Sequence, residues 1–308
     1  MKQRHALLWL ALAQVFIGVN VVSAKYLVTI LPIAFLIFLR FGVSAFLLYG
    51  LCLTRGNSLR HNSLGEKITM QDVFMITLQG LCGGVFYNFL ILNGLQFTDA
   101  TVAGIISSTT PAMLAFLSFW LLKEVLSNRK ILTIAFAVLG VMCLHLTNIR
   151  GGETMVSVWG NLLVVASVIP EAMFTIIAKK HDTPISPLVT ATICNMVNAV
   201  YCFPIVLGQI PTVLAVHLNF TDYLVIAAQI SSGMIFYTAW YQGLPHVSAS
   251  TAALTTAIAP VCITLLAILF LGEHLHLLDA VAMILVLISI CYGAGLTPSV
   301  LQTRLSKR

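Results

Sequence analysis

Charge is scarce in this chain: Asp, Glu, Lys and Arg together make up only 8% of its 308 residues, against 59% hydrophobic residues. With a mean hydropathy of +0.99, there is too little polar surface to cover a globule. That excludes a soluble domain and implies a polytopic membrane protein. Long polar segments are missing too, the longest being a loop of under twenty residues from Thr54 to Asp72. No phosphate-binding Gly-Lys loop and no nucleophile elbow occur, so neither ATP hydrolysis nor acyl transfer has a carrier. The seven cysteines, at 52, 82, 143, 194, 202, 262 and 291, show neither paired nor metal-like spacing and read as packing residues. The stretch Glu273-His274-x-His276-x-x-Asp279 lacks a helical His pair with an intervening Glu, and reads as a solvated loop rather than a metal site. His145, His181, His217 and His246 stand alone. No enzyme activity, cofactor or metal is expected.

What the chain does have is long apolar runs, unlike the alternating short strands of a membrane β-barrel. A span of the hydrocarbon core takes about 20 residues. The runs read as ten spans, near 6–25, 31–53, 72–94, 99–122, 130–147, 157–178, 187–207, 221–243, 249–271 and 278–296. The first follows Lys2, Arg4 and His5 as in a signal peptide, but the nine later spans favour an uncleaved helix.

Residues 94 to 124 recur 149 positions later: Gly94 aligns with Gly243, Ala103 with Ala252, Pro111 with Pro260 and Glu124 with Glu273. Corresponding helices are five apart, so the copies lie upside down relative to one another. An all-α membrane fold follows, with ten transmembrane helices in two inverted five-helix repeats, residues 1–150 and 151–308. Such repeats are the architecture of secondary transporters, whose site lies between the halves.

Basic loops are retained in the cytoplasm. With both termini there, the cytoplasmic side holds Lys2 and Arg4, Arg55, Arg60 and Lys67, Lys123, Arg129 and Lys130, Lys179 and Lys180, and Arg304, Lys307 and Arg308. Only Lys25 and Arg150 fall outside, and Arg40 within a span. The net charge of +6 therefore lines one membrane face, and nucleic-acid binding need not be invoked.

Several pieces taken in order resemble the drug/metabolite transporter superfamily, in its ten-helix EamA-type branch. They are Gly18-Val19-Asn20 with Lys25, Leu31-Pro32 followed by Phe38-Leu39-Arg40-Phe41, the small-residue helices with Pro111 and Pro260, the Glu124 and Glu273 that follow them, and Val138-Leu139-Gly140-Val141. The chain departs from the pattern at Ile17 and at Pro170-Glu171. The resemblance implies transport of small metabolites such as amino acids, without an ATPase.

Glu171 lies mid-span, where a carboxylate costs on the order of 3 kcal/mol on insertion scales. Ser167 and Thr175 share its face, and Pro170 frees a carbonyl four residues earlier. Glu171 is either a proton-coupling or substrate-ammonium site, or a structural Glu that is protonated or paired with Arg. Arg40, also mid-span, either captures a substrate carboxylate or bonds helix-end carbonyls or Glu171. A softer polar and aromatic layer comprises Gln14, Asn20, Gly84, Tyr87, Asn195, Asn198, Gly233, Tyr237, Trp240 and Tyr241. Singly these residues glue helices together or sit in the interfacial belt; as a set they suit a half-polar cavity. Pro111, Pro260 and Pro170 are candidate gating breaks, and Glu124 and Glu273 candidate partners of a helix N-terminus or a base.

The expected function is secondary transport of an amino acid or similar amphipathic metabolite across a bacterial cytoplasmic membrane, as export, with proton coupling open. Its partners are a small-molecule substrate and the lipid bilayer. A carrier of sugar phosphates or nucleotide sugars would need several cavity-facing Lys or Arg residues, and only Arg40 is available. A membrane-embedded enzyme or lipid scramblase would need a catalytic constellation or a groove open to lipid.

Overall fold

A computed structural model describes residues 3–59, 66–122, 128–151, 155–180, 185–247 and 255–293. Its long helices are α1 (Gln3–Leu27), α2 (Ile33–Thr54), α3 (Met70–Leu95), α4 (Ala100–Ser107 and Thr110–Leu122), α5 (Asn128–Gly151), α6 (Met155–Lys180), α7 (Pro187–Leu207), α8 (Phe220–Gly243), α9 (Ile258–Leu271) and α10 (Leu277–Gly293). Seven of them are long and apolar enough to cross a bilayer, and Ile131–Met142 of α5, Ile258–Leu271 and Leu277–Cys291 are shorter apolar stretches. Ten helices form an integral membrane protein, as the apolar runs predict. Glu124, and the start of the ninth span up to residue 254, lie outside the described residues.

Local chemistry explains the helix ends. Thr69 and Asp72 form a reciprocal capping box at the start of α3, and Asn219 and Asp222 form its counterpart at the start of α8. The His276 N–H donates to Asp279 Oδ2 at 3.1 Å, so that motif caps α10. Among the described residues no cluster could hold a metal ion. Gly272, at φ +69°, ends α9 in the left-handed conformation that only glycine adopts cheaply.

Packing follows the duplication. α1 lies against α8 and α9, while α6 lies against α3 and α4; α2 pairs with α7 and α5 with α10. Exchanging α1–α5 for α6–α10 maps each of these contacts onto another or onto itself. Because each half has an odd number of spans, a rotation that makes this exchange must have its axis in the membrane plane. The repeats interlock, so α1 with α8 and α9 forms one helix group and α6 with α3 and α4 the other.

Glycines set the closest crossings. A Cβ on Gly94 would come 2.6 Å from Val164 and 2.8 Å from the Gly160 carbonyl, and one on Gly243 would come 2.7 Å from Leu10 and 2.9 Å from the Ala6 carbonyl. The aligned glycines thus pack on corresponding stretches of α6 and α1.

Candidate functional site

Two irregular helices open the centre of the bundle. α3 widens into a π-helical turn over Leu81–Phe86, a bulge that often marks functional sites. Asn198 fills the space beside Gly84, where a Cβ would stand 2.0 Å from its amide nitrogen. α4 is interrupted at Ser108–Thr109, just before Pro111, and Thr256–Ala257 before Pro260 forms the matching break ahead of α9. Pro170 is accommodated inside α6 without ending it.

Two cavities meet at these irregularities. The wider, of about 130 Å³, lies among Gln14, Ser107, Thr110, Leu114, Trp240 and Ile263. The narrower, of about 60 Å³, lies among Asn20, Arg40, Gly83, Ser232, Gly233 and Tyr237. Ile17, Tyr87, Glu171, Phe174 and Phe236 line both, so Glu171 stands at their junction. Phe236 stacks on Trp240 at 6.1 Å and meets Tyr237 edge-on at 5.3 Å, forming an aromatic wall.

Arg40 is 7% exposed. Its Nη1 donates to Asn20 Oδ1 at 3.2 Å and to Asn88 Oδ1 at 3.0 Å, and its guanidinium lies over the Phe41 ring at 4.5 Å. Nε is buried without a hydrogen-bond partner and would be 2.9 Å from a Cβ on Gly233. Arg40 therefore bridges α1 and α3 through neutral amides. Neither structural pairing considered for it occurs: its partners are side-chain amides, not helix-end carbonyls, and Glu171 bonds elsewhere. Glu171 Oε2 accepts from Thr110 Oγ1 at 2.7 Å, and that hydroxyl also lies 2.6 Å from the Ser107 carbonyl oxygen.

Of the other candidates, Asn20, Tyr87, Tyr237 and Trp240 line the cavities. Tyr237 also donates to the Gly83 carbonyl at 3.4 Å. Asn195 does not join them: it is fully buried, and its Nδ2 donates to the Ala191 carbonyl of its own helix at 2.7 Å. Pro111 lines the wide cavity. Pro260 is buried in the first turn of α9. Glu273 caps α4, accepting from Ala100 N at 2.7 Å and Thr101 N at 2.9 Å. Sequence reasoning missed Asn88, Ser232, Phe174 and Phe236. Asn88 lies beside Tyr87, and a search for amide partners of a buried Arg would have reached it; the two Phe residues carry no distinguishing signal in so apolar a chain.

The family model of the EamA-like transporters matches residues 4–146 and again 158–292. The chain belongs to the EamA-like transporter family. It is similar to the uncharacterized transporter YetK of Bacillus subtilis, 31% identical over 282 residues that span 88% of this chain and 81% of that one. It is also similar to an uncharacterized transporter of Archaeoglobus fulgidus, 25% identical over 281 residues spanning 91% and 95% of the two chains. A solved crystal structure superposes with a TM-score of 0.66 over 94% of this chain and 97% of its own. At 20% identity it shows the fold alone. As an EamA-family member with two cavities between its repeats, the protein is a membrane transporter.

Proposed function

We propose that this transporter moves a small zwitterionic metabolite of the amino-acid kind across a bacterial cytoplasmic membrane, exporting it in exchange for protons. One observation carries the reading. Arg40 and Glu171 line the same narrow cavity, yet each is held by neutral partners rather than by the other. A buried charge without a counter-charge is costly, so both groups favour a ligand that brings the missing charges. A carboxylate against the guanidinium and an ammonium near Glu171 satisfy them together, with the apolar part of the ligand in the wider aromatic cavity. A single cavity-lining guanidinium suits one carboxylate better than the dianion of a phosphate ester.

The proton step follows from hydrogen-bond inventory. A hydroxyl has one hydrogen, so Thr110 cannot donate fully to Glu171 and to the Ser107 carbonyl together. An ionised Glu171 draws that hydrogen to itself. A protonated Glu171 donates to Thr110 Oγ1 instead, and Thr110 then donates to Ser107 across the break in α4. Gain or loss of one proton thereby changes how the two halves of α4 are joined, next to the ligand. Driven by an inward proton gradient, the proton runs inward while the metabolite leaves.

The test is counterflow in proteoliposomes: vesicles preloaded with unlabelled metabolite should draw in the same radiolabelled metabolite, screening amino acids first. Counterflow by phosphate esters, with none by any zwitterion, would overturn the reading.

A further inference from the structure

One end of the bundle is fastened by two charged side chains that the cavities do not use. Lys25, in the last turn of α1, donates from Nζ to the Leu95 and Thr98 carbonyls, each at 2.8 Å, where α3 ends. Glu273 takes the first amides of α4, Ala100 and Thr101. It is aimed there by the left-handed turn at Gly272, after which its own N–H returns to the Ala267 carbonyl at 3.3 Å. The α3–α4 loop is thus gripped at both helix ends by the charge that each helix dipole favours, on groups that lack intrahelical partners.

These contacts occupy one level of the molecule. Along α1 the order runs from Gln14 in the wide cavity through Ile17 and Asn20 to Lys25; at 1.5 Å per residue, Lys25 lies about 12 Å beyond Ile17. Along α9 it runs from Ala259 and Ile263 to Glu273, and along α4 from Leu114 and Gly104 back to Thr101. Both cavities lie to one side of the fastening, and buried Ala103 on α4 and Val164 on α6 help fill the layer between.

What each bond connects separates fastening from scaffolding. Thr98 to Asn161 at 2.5 Å joins the α3–α4 loop to α6, within one helix group. Tyr26 to Asp222 at 2.8 Å and the Ser23–Gln229 bond join α1 to α8, within the other. Lys25 and Glu273 cross between the groups, with a longer bond from Gln96 to the Val28 carbonyl at 3.5 Å beside them.

We propose that Lys25 and Glu273 are the two catches of a gate on this face: they hold the α3–α4 loop against α1 and α9 while the cavity is shut from that side, and release it when the cavity turns. The inference rests on the transport reading of the cavity, but not on its substrate. Neither catch spends its charge on the other, so each re-forms independently, and the freed helix ends take water when the gate opens.

The test places a cysteine at Ile17 in protein whose seven native cysteines are replaced by Ser or Ala, in sealed vesicles, with a membrane-impermeant thiol reagent on either side. Lys25→Met and Glu273→Gln should each raise labelling from the Lys25 face by at least about tenfold, since each removes charge-assisted bonds made only in the shut state. Unchanged labelling from both faces would overturn the gate. A second measurement does not depend on tolerating those substitutions: cysteines at Val28 and Gln96 joined by a thiol crosslinker should stop transport, reversibly on reduction, while Ile17→Cys still labels from the other face. Crosslinked protein transporting at the uncrosslinked rate would equally sink it. If no zwitterion shows counterflow yet labelling responds as expected, the substrate reading fails and the gate stands.

Discussion

Thr110 Oγ1 lies 2.7 Å from Glu171 Oε2 and 2.6 Å from the Ser107 carbonyl oxygen, so one hydroxyl hydrogen serves two acceptors at the break in α4. The Ser107 contact is a return bond of the kind helical hydroxyls commonly make, here spanning the break, while the Glu171 contact ties α4 to α6. The first two predictions address this shared hydrogen.

Glu171→Gln keeps the shape and the acceptor but removes the proton cycle. The variant should exchange substrate across the membrane yet lose accumulation driven by an imposed pH gradient. Uptake with and without the gradient, at matched protein content, decides it. A variant that concentrates substrate as steeply as wild type would make Glu171 structural.

Thr110→Val removes the hydroxyl and should uncouple transport in the same direction as Glu171→Gln, whereas Thr110→Ser restores the donor and should restore coupling. If Val and Ser behave alike, the hydroxyl has no part in the proton step. The comparison isolates the hydrogen bond from the packing of the broken helix.

Arg40 reaches Asn20 and Asn88 through Nη1 alone, so Arg40→Lys gives up the rest of the planar guanidinium that a carboxylate would meet edge-on. Substrate affinity should fall by about tenfold or more, given the worth of charged hydrogen bonds. Gly233→Ala should do the same without touching charge, since its Cβ would stand 2.9 Å from Arg40 Nε and displace the guanidinium. Equilibrium binding in detergent measures both. Wild-type affinity in Gly233→Ala would mean that Arg40 does not contact the ligand.

Gly94→Ala or Gly160→Ala should destabilise the fold by about 1–3 kcal/mol, because each Cβ would lie under 3.0 Å from backbone or side chain of the facing helix. Gly50→Ala, with nothing within 4 Å, should be neutral or slightly stabilising. Thermal unfolding in detergent separates the cases, and equal melting temperatures for all three would argue against close packing at the inter-repeat crossing.

Reporter fusions after residues 62, 126 and 182 should all report the cytoplasm, as the distribution of Lys and Arg requires. An external signal at two of the three would overturn the orientation.

The apolar runs, the spacing of Gly94 from Gly243 and of Pro111 from Pro260, and the one-sided basic residues determined the spans, the duplication and its inversion without any coordinates. Bilayer thickness and the cost of unpaired backbone in lipid leave a chain of this composition few alternatives. Glu171 and Arg40 were conspicuous for the same reason, being charges where charge is expensive. Their partners were not legible: Arg40 could as readily have met Glu171 or a helix end, and Asn195 looked as well placed for a cavity as Asn20. Which amide faces which helix depends on helix rotation, on the π turn in α3 and on the break in α4, none of which has a period in the sequence. Lys25 and Glu273 show the same division. Each reads as a charge at a helix end, but only the interlocking of the repeats, which packs α1 and α9 against the α3–α4 loop, brings the two onto one segment of backbone.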